Sequence, residues 1–416
     1  MIQHRHISDK LASQLRVTIL KQVLFYERYT MSTSSSLESK EEDNLKGKKV
    51  AIVVDWLSDW GGAEMVISDF LEVFPEADIF TSVYQPKDLR KFQIFEKHTI
   101  ITSFIQKIPF FRTHHKLALF LRPYAFEGFD LDKYDIVLSS SSAESKAIIT
   151  KPETIHFCYC HKPTRYFWSD THEYKRRLEF GRIGNFFAKF LMPIIIPRLR
   201  IADFVAAQRV DYFLANSHGT ALDINKYYRR AAEVLNPWVD LETFQLVETK
   251  EDYYISAGRC IPYKKFDLLV DTFNHNGKPL ILVTNTDNDL YRELRDRSKP
   301  NIIWHFNPPR QDIAELVSHA RAFLFPPKED FGIVPLEAMA TGTPVIAYGK
   351  WGALETIKDG ASGVFFHEQT IESLNSAIKE FEWMKFDPKK IRKHSLKWDR
   401  KSFQEKLRSY ISNTIK

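Results

Sequence analysis

Short apolar runs separated by stretches with helical spacing dominate the chain from Lys48 onward. "KVAIVVDWL", "ADIFTSVY", "DIVLSSSS", "TIHFCYCH" and "DYFLANS" form one series, and "YYISAGR", "PLILVTN", "NIIWHF", "AFLFPP", "TPVIAY" and "GVFF" a second. Apolar runs of this length between helices predict parallel sheets buried on both faces. The stretch Asn236–Asp252, "NPWVDLETFQLVETKED", divides the two series and reads as a linker. The expected fold class is therefore α/β, with two doubly wound Rossmann-like domains facing across a cleft. Ligands of such sheets bind beyond the strand C-termini. The final stretch, "SLKWDRKSFQEKLRSYISNTI", is an amphipathic helix with aromatic anchors, expected to cross back over a domain junction. The organisation expected is a disordered leader or linker at 1–47, an N-terminal domain at 48–240, a C-terminal domain at 250–385 and crossover helices at 386–416.

Length and composition agree with two cores: 416 residues, 44% hydrophobic and 14% aromatic. The net charge of +6 suits sugar nucleotides, an anionic membrane surface or nucleic acid, but no nucleic-acid motif accompanies it. Cys158, Cys160 and Cys260 are the only cysteines, an odd number without zinc spacing, which argues for a reducing compartment and against a structural metal. The most apolar stretch, "FFAKFLMPIIIP", carries a Lys and two Pro and is too short to span a bilayer. Tyr174–Arg200 holds seven Lys/Arg against one Glu among large apolar residues. Together with Ile108–Tyr124 it reads either as packing helices with charged outer faces or as a basic amphipathic surface for an anionic bilayer.

Three turns carry candidate chemistry. After the first strand, Gly61 and Gly62 precede a helix near Ala63, which is either a tight turn or a close backbone approach to an anion. After strand Tyr253–Ala257, Arg259 and Lys264 form either a solvated basic turn or a diphosphate grip. After strand Ala322–Pro326, Glu329 falls on a loop, and Pro335 in a first helical turn places Glu337 within that turn. The two acids do not share a helix face, whose spacings are three, four or seven. The Phe331, Gly332 and Ile333 amides lie between them.

Arg259 and Lys264, then "EDFGIVPLE", "ATGTPVIA", "WGALETI" and "DGASGVFF", resemble in this order the retaining glycosyltransferases of family 4, with the GT-B fold. "YCHKPTRYFW" and "RVDYFLANS" resemble the mannosyltransferases of bacterial O-antigen and surface-polysaccharide synthesis. The resemblance covers about residues 48–410. It implies that Glu329 meets the donor sugar and the reacting anomeric face, that Phe331, Gly332 and Ile333 add backbone contacts, and that Glu337 binds the ribose. Arg259 and Lys264 would hold the diphosphate, Gly62 would line its first-domain side, and His161 would contact the donor sugar.

The function implied is transfer of a sugar, mannose from GDP-mannose, to a glycan or lipid-linked acceptor, without cofactor or metal. The place implied is the cytoplasm or the inner face of the membrane, with no nucleic-acid partner. A UDP- or dTDP-sugar donor, a sugar-nucleotide epimerase or hydrolase, and a noncatalytic binding module are the alternatives. Three residues depart from the family pattern: Trp238 in the linker, Cys260 after the basic turn and Trp351 within a usual Gly-Gly pair.

Overall fold

The computed structural model describes residues 44–86, 89–114, 117–169 and 181–415, with only the backbone of 89–90 and 181–192. The leader at 1–43, the Tyr174–Phe180 part of the basic segment and the side chains of 181–192 lie outside that description.

Two wholly parallel sheets organise the described chain. The first holds β1 (Val50–Val54), β2 (Asp78–Thr81), β3 (Ile100–Thr102), β4 (Ile136–Ser141), β5 (Ile155–Cys160), β6 (Tyr212–Ala215) and β7 (Ala232–Val234), in the order β3-β2-β1-β4-β5-β6-β7. The second holds β8 (Tyr254–Ala257), β9 (Leu280–Thr284), β10 (Ile302–Phe306), β11 (Ala322–Phe325), β12 (Val345–Tyr348) and β13 (Gly363–Phe366), in the order β10-β9-β8-β11-β12-β13. Each reverses direction of winding beside its first strand. That reversal opens a crevice at the strand C-termini, the place where such sheets take ligands.

The buried runs explain the elements. Every residue of β1, β4 and β11 is buried, as expected of central strands covered by helices on both faces. Residues 235–253 contain no regular helix or strand and join the two sheets.

The last helix, Arg400–Thr414, belongs to the first sheet's core rather than the second's. Phe403, Leu407 and Ile411, one face of that helix, pack with Val66, Phe70 and Tyr159. Arg400 reaches Asp69 and Glu72 at 2.6 Å, and Gln404 reaches Asp69 at 2.7 Å. Asp69 is fully buried, and the indole N–H of Trp238 also donates to it. The unusual linker tryptophan thus fills the junction, with the Arg400 guanidinium 4.9 Å from its ring centre.

Candidate active site

The loops after β1, β5, β8, β10 and β11 converge on one cleft of about 2170 Å³ between the two sheets. Gly62, His161, Arg259, Lys264, Glu329, Phe331, Gly332, Ile333 and Glu337 all line it, so the structure brings every predicted site residue together. From the first sheet Gly62 opens the helix Gly62–Val73, and a methyl group on it would sit 3.3 Å from Ile333 across the cleft.

Two carboxylates project from the second domain, each held by a cation. Glu329 Oε1 is 2.5 Å from Lys264 Nζ. Glu337 Oε1 accepts from Arg310 Nη2 at 2.7 Å, and Arg310 Nε also reaches Asp240 at 3.3 Å. Burial raises the Glu337 carboxyl above its ordinary range, and the Arg310 guanidinium pulls it back. Arg259 is exposed on the rim, its guanidinium 3.3 Å from the Tyr263 hydroxyl.

The helical placement of Glu337 needs one correction. The helix begins at Ile333, just after Gly332 turns in the left-handed region (φ 87°), so Pro335 is its third residue and Glu337 its fifth. Glu337 therefore stands in the second turn. Gly332 at its cap has no side chain to bond the first amides, and Gly332, Ile333 and Val334 line the cleft.

His161 follows β5 directly. Its Nε2 lies 2.8 Å from Ser140 Oγ, and burial pushes its pKa down to about 4. The ring is neutral at pH 7, suited to hydrogen bonding rather than to carrying charge. The wall behind it is braced by buried ion pairs, Arg122 to Glu144 at 3.0 Å and Lys146 to Asp203 at 2.6 Å.

Sequence reasoning missed several groups. Arg310 and Asp240 complete the Glu337 cluster, and no local pattern marks them. Asp330, beside Glu329, pairs with Lys162 and Arg165 of the first domain. Glu64 accepts the Gly61 amide at 2.9 Å, and burial raises its pKa to about 7. Its position three residues after the cap is the spacing from which a glutamate reaches back to the cap amide, a signal that was readable, although Gly61 has no side chain to return the bond. Among the described residues no group of His, Cys, Asp or Glu is arranged to hold a metal ion.

Residues 240–398 match the family described as glycosyl transferases group 1. The chain is 29% identical over 212 residues to the alpha-1,3/1,6-mannosyltransferase alg2 of Schizosaccharomyces pombe, covering 39% of this chain and 42% of that protein. It is 26% identical over 214 residues to the D-inositol 3-phosphate glycosyltransferase of Kribbella flavida, covering 44% and 50%. The matches thus span half or less of the length of these curated relatives.

Among solved structures, the sucrose-phosphate synthase of Thermosynechococcus elongatus superposes with a TM-score of 0.64 at 14% identity, covering 88% of this chain and 99% of that one. Anabaena HepE in complex with UDP superposes at 0.63 and 14%, covering 88% and 100%. The chain has the GT-B fold, and the stretch 240–398 is similar to the group 1 glycosyl transferases.

Proposed function

We propose that the protein is a retaining glycosyltransferase that moves mannose from GDP-mannose onto a glycan or lipid-linked oligosaccharide. The observation that carries this reading is the two-ended grip in one cleft. Glu329 with Lys264 stands at one end, Glu337 with Arg310 at the other, and an uncapped helix N-terminus lies between. That order of groups suits a sugar, a diphosphate and a ribose in line. The stretches of identity with yeast mannosyltransferases favour mannose, and with it guanosine as the nucleoside.

In this mechanism the anomeric carbon–oxygen bond to the diphosphate breaks, and the acceptor oxygen bonds to the same face. The acceptor's proton passes to the departing phosphate oxygen. Arg259, Lys264 and the helix amides stabilise the charge that develops there, so the scheme calls on no metal ion. Glu329 orients the sugar, Glu337 fixes the ribose, and neutral His161 bonds to the sugar from the first domain.

The first domain would meet a bilayer to reach a lipid-linked acceptor. Phe110, Phe120 and Tyr124 are exposed there, beside Arg112 and Lys107. No helix among the described residues is long and apolar enough to cross a membrane, so attachment would be peripheral.

A thermal-shift panel of GDP, UDP, dTDP and ADP tests the donor. A ligand at about 100 times its dissociation constant adds about 2.7 kcal/mol. Stabilisation by GDP is expected. Stabilisation by UDP and not GDP would remove mannose and leave glycosyl transfer standing.

A further inference from the structure

Trp351 precedes the short helix Gly352–Thr356 in a backbone conformation (φ 54°, ψ −128°) that residues with side chains rarely adopt. Such strain persists only where the surroundings hold it in place. Here they come from both domains. Lys162 of the first domain has its Nζ 4.5 Å from the ring centre, and Lys328 of the second has its Nζ at 4.2 Å. Gly219, near the start of the first-domain helix His218–Tyr228, lies so close that a Cβ there would be 2.6 Å from the indole Cε3.

The same turn backs the loop that carries Glu329. The Gly352 amide donates to the Glu329 carbonyl at 3.1 Å. A Cβ at Gly352 would fall 2.2 Å from the Phe331 carbonyl oxygen, so the two backbones touch. Further contacts cross the domains around this point. Asp330 binds Lys162 and Arg165, while Glu355 accepts the amides of His218 at 3.0 Å and Gly219 at 3.1 Å.

We propose that Trp351 is a positioning residue that fastens the Lys328–Gly332 loop to the first domain and so sets Glu329 opposite His161. Its aromatic ring attracts an ammonium group from each domain, Lys162 being held also by Asp330 and Asp223. Without the ring, the loop loses its contact with Lys162 and with Gly219, and the turn behind Phe331 loses its brace. Trp351 does not line the cleft, so its effect passes through Glu329 and Phe331. The kinetic part of this inference rests on the proposed glycosyl transfer; the structural part does not.

Amide hydrogen exchange on the whole protein separates the two. Trp351→Ala is expected to speed exchange about tenfold or more in both 328–333 and 161–168, with β1 and β8 unchanged. Trp351→Phe should restore most of the protection. In turnover, Trp351→Ala should lower kcat about tenfold while the donor KM moves less than about threefold.

Exchange within about twofold of wild type in those two loops, or acceleration confined to 350–356, would overturn the proposal. If Trp351→Ala fails to fold, Gly219→Ala decides by the same readings, since its methyl group displaces the ring while keeping it. A wild-type protein that transfers no sugar but shows the exchange response would sink the proposed function and leave the positioning role intact.

Discussion

Lys264 Nζ stands 2.5 Å from Glu329 Oε1, with the two side chains only 15% and 17% exposed. The groups assigned to the diphosphate and to the sugar therefore neutralise each other on the second domain's side of the cleft. An incoming diphosphate must compete with Glu329 for the ammonium. Glu329→Ala is expected to bind bare GDP about three- to tenfold more tightly, because Lys264 is released. Turnover should fall by about a hundredfold or more, because the sugar contact is lost. Calorimetric titration beside a transfer assay checks both, and weaker GDP binding in the variant would refute the competition.

Arg310 bridges two carboxylates, Glu337 and Asp240, that would otherwise repel. Arg310→Ala leaves Glu337 buried without its cation, which costs about 3 kcal/mol. The Glu337 carboxyl should rise further, weakening its hold on the ribose. A lower urea midpoint together with weaker nucleotide binding is expected. Arg310→Lys should recover only part of each, since an ammonium lacks the fork that reaches both acids.

His156 gives a pH dependence whose sign follows from burial. It is fully buried, bonded through Nε2 to Ser139 at 2.8 Å, and burial pushes its pKa from 6.5 to about 3. Between these values the unfolded chain binds a proton that the folded chain refuses, so stability is lost as pH falls below 6.5. From pH 7 to pH 5 this residue alone should remove about 2 kcal/mol. Buried Glu64 works in the opposite direction, because its raised pKa favours the folded state on acidification. The comparison is therefore wild type against His156→Gln, which should lose that much less over the same interval in denaturant titrations.

The exposed aromatic surface of the first domain makes a separate prediction. Phe110→Ser with Tyr124→Ser should reduce co-sedimentation with anionic vesicles about tenfold at low salt. Activity on a soluble acceptor should be unchanged. Equal sedimentation of wild type and variant would remove this surface from membrane attachment.

Much of the framework was legible because it depends on local period. Strand Tyr253–Ala257 was expected from its apolar run, and Tyr254–Ala257 is found. Loop positions for Glu329, Arg259 and His161 followed from counting past strand ends. Helix phase was harder: a left-handed Gly332 starts the helix two residues before Pro335, which moved Glu337 from the first turn into the second. Contacts set by the facing of the two sheets left no local trace. Arg310 meets Asp240 from 70 residues away, and Asp330 meets Lys162 from 168. Trp351 reads in sequence as an interruption of a glycine pair; the glycine it packs against, Gly219, is in the other domain.

The placement of helix Arg400–Thr414 against the Gly62–Val73 helix has a consequence for the order of synthesis. The core around Val66, Phe70 and Tyr159 is translated before the second domain, yet three of its packing residues, Phe403, Leu407 and Ile411, follow that domain in the chain. The second domain has all its strands available before the first has its full core. Until residues 400–414 are made, the first domain has an apolar face uncovered and Asp69 without its arginine, so its core can close only after the second domain's strands exist.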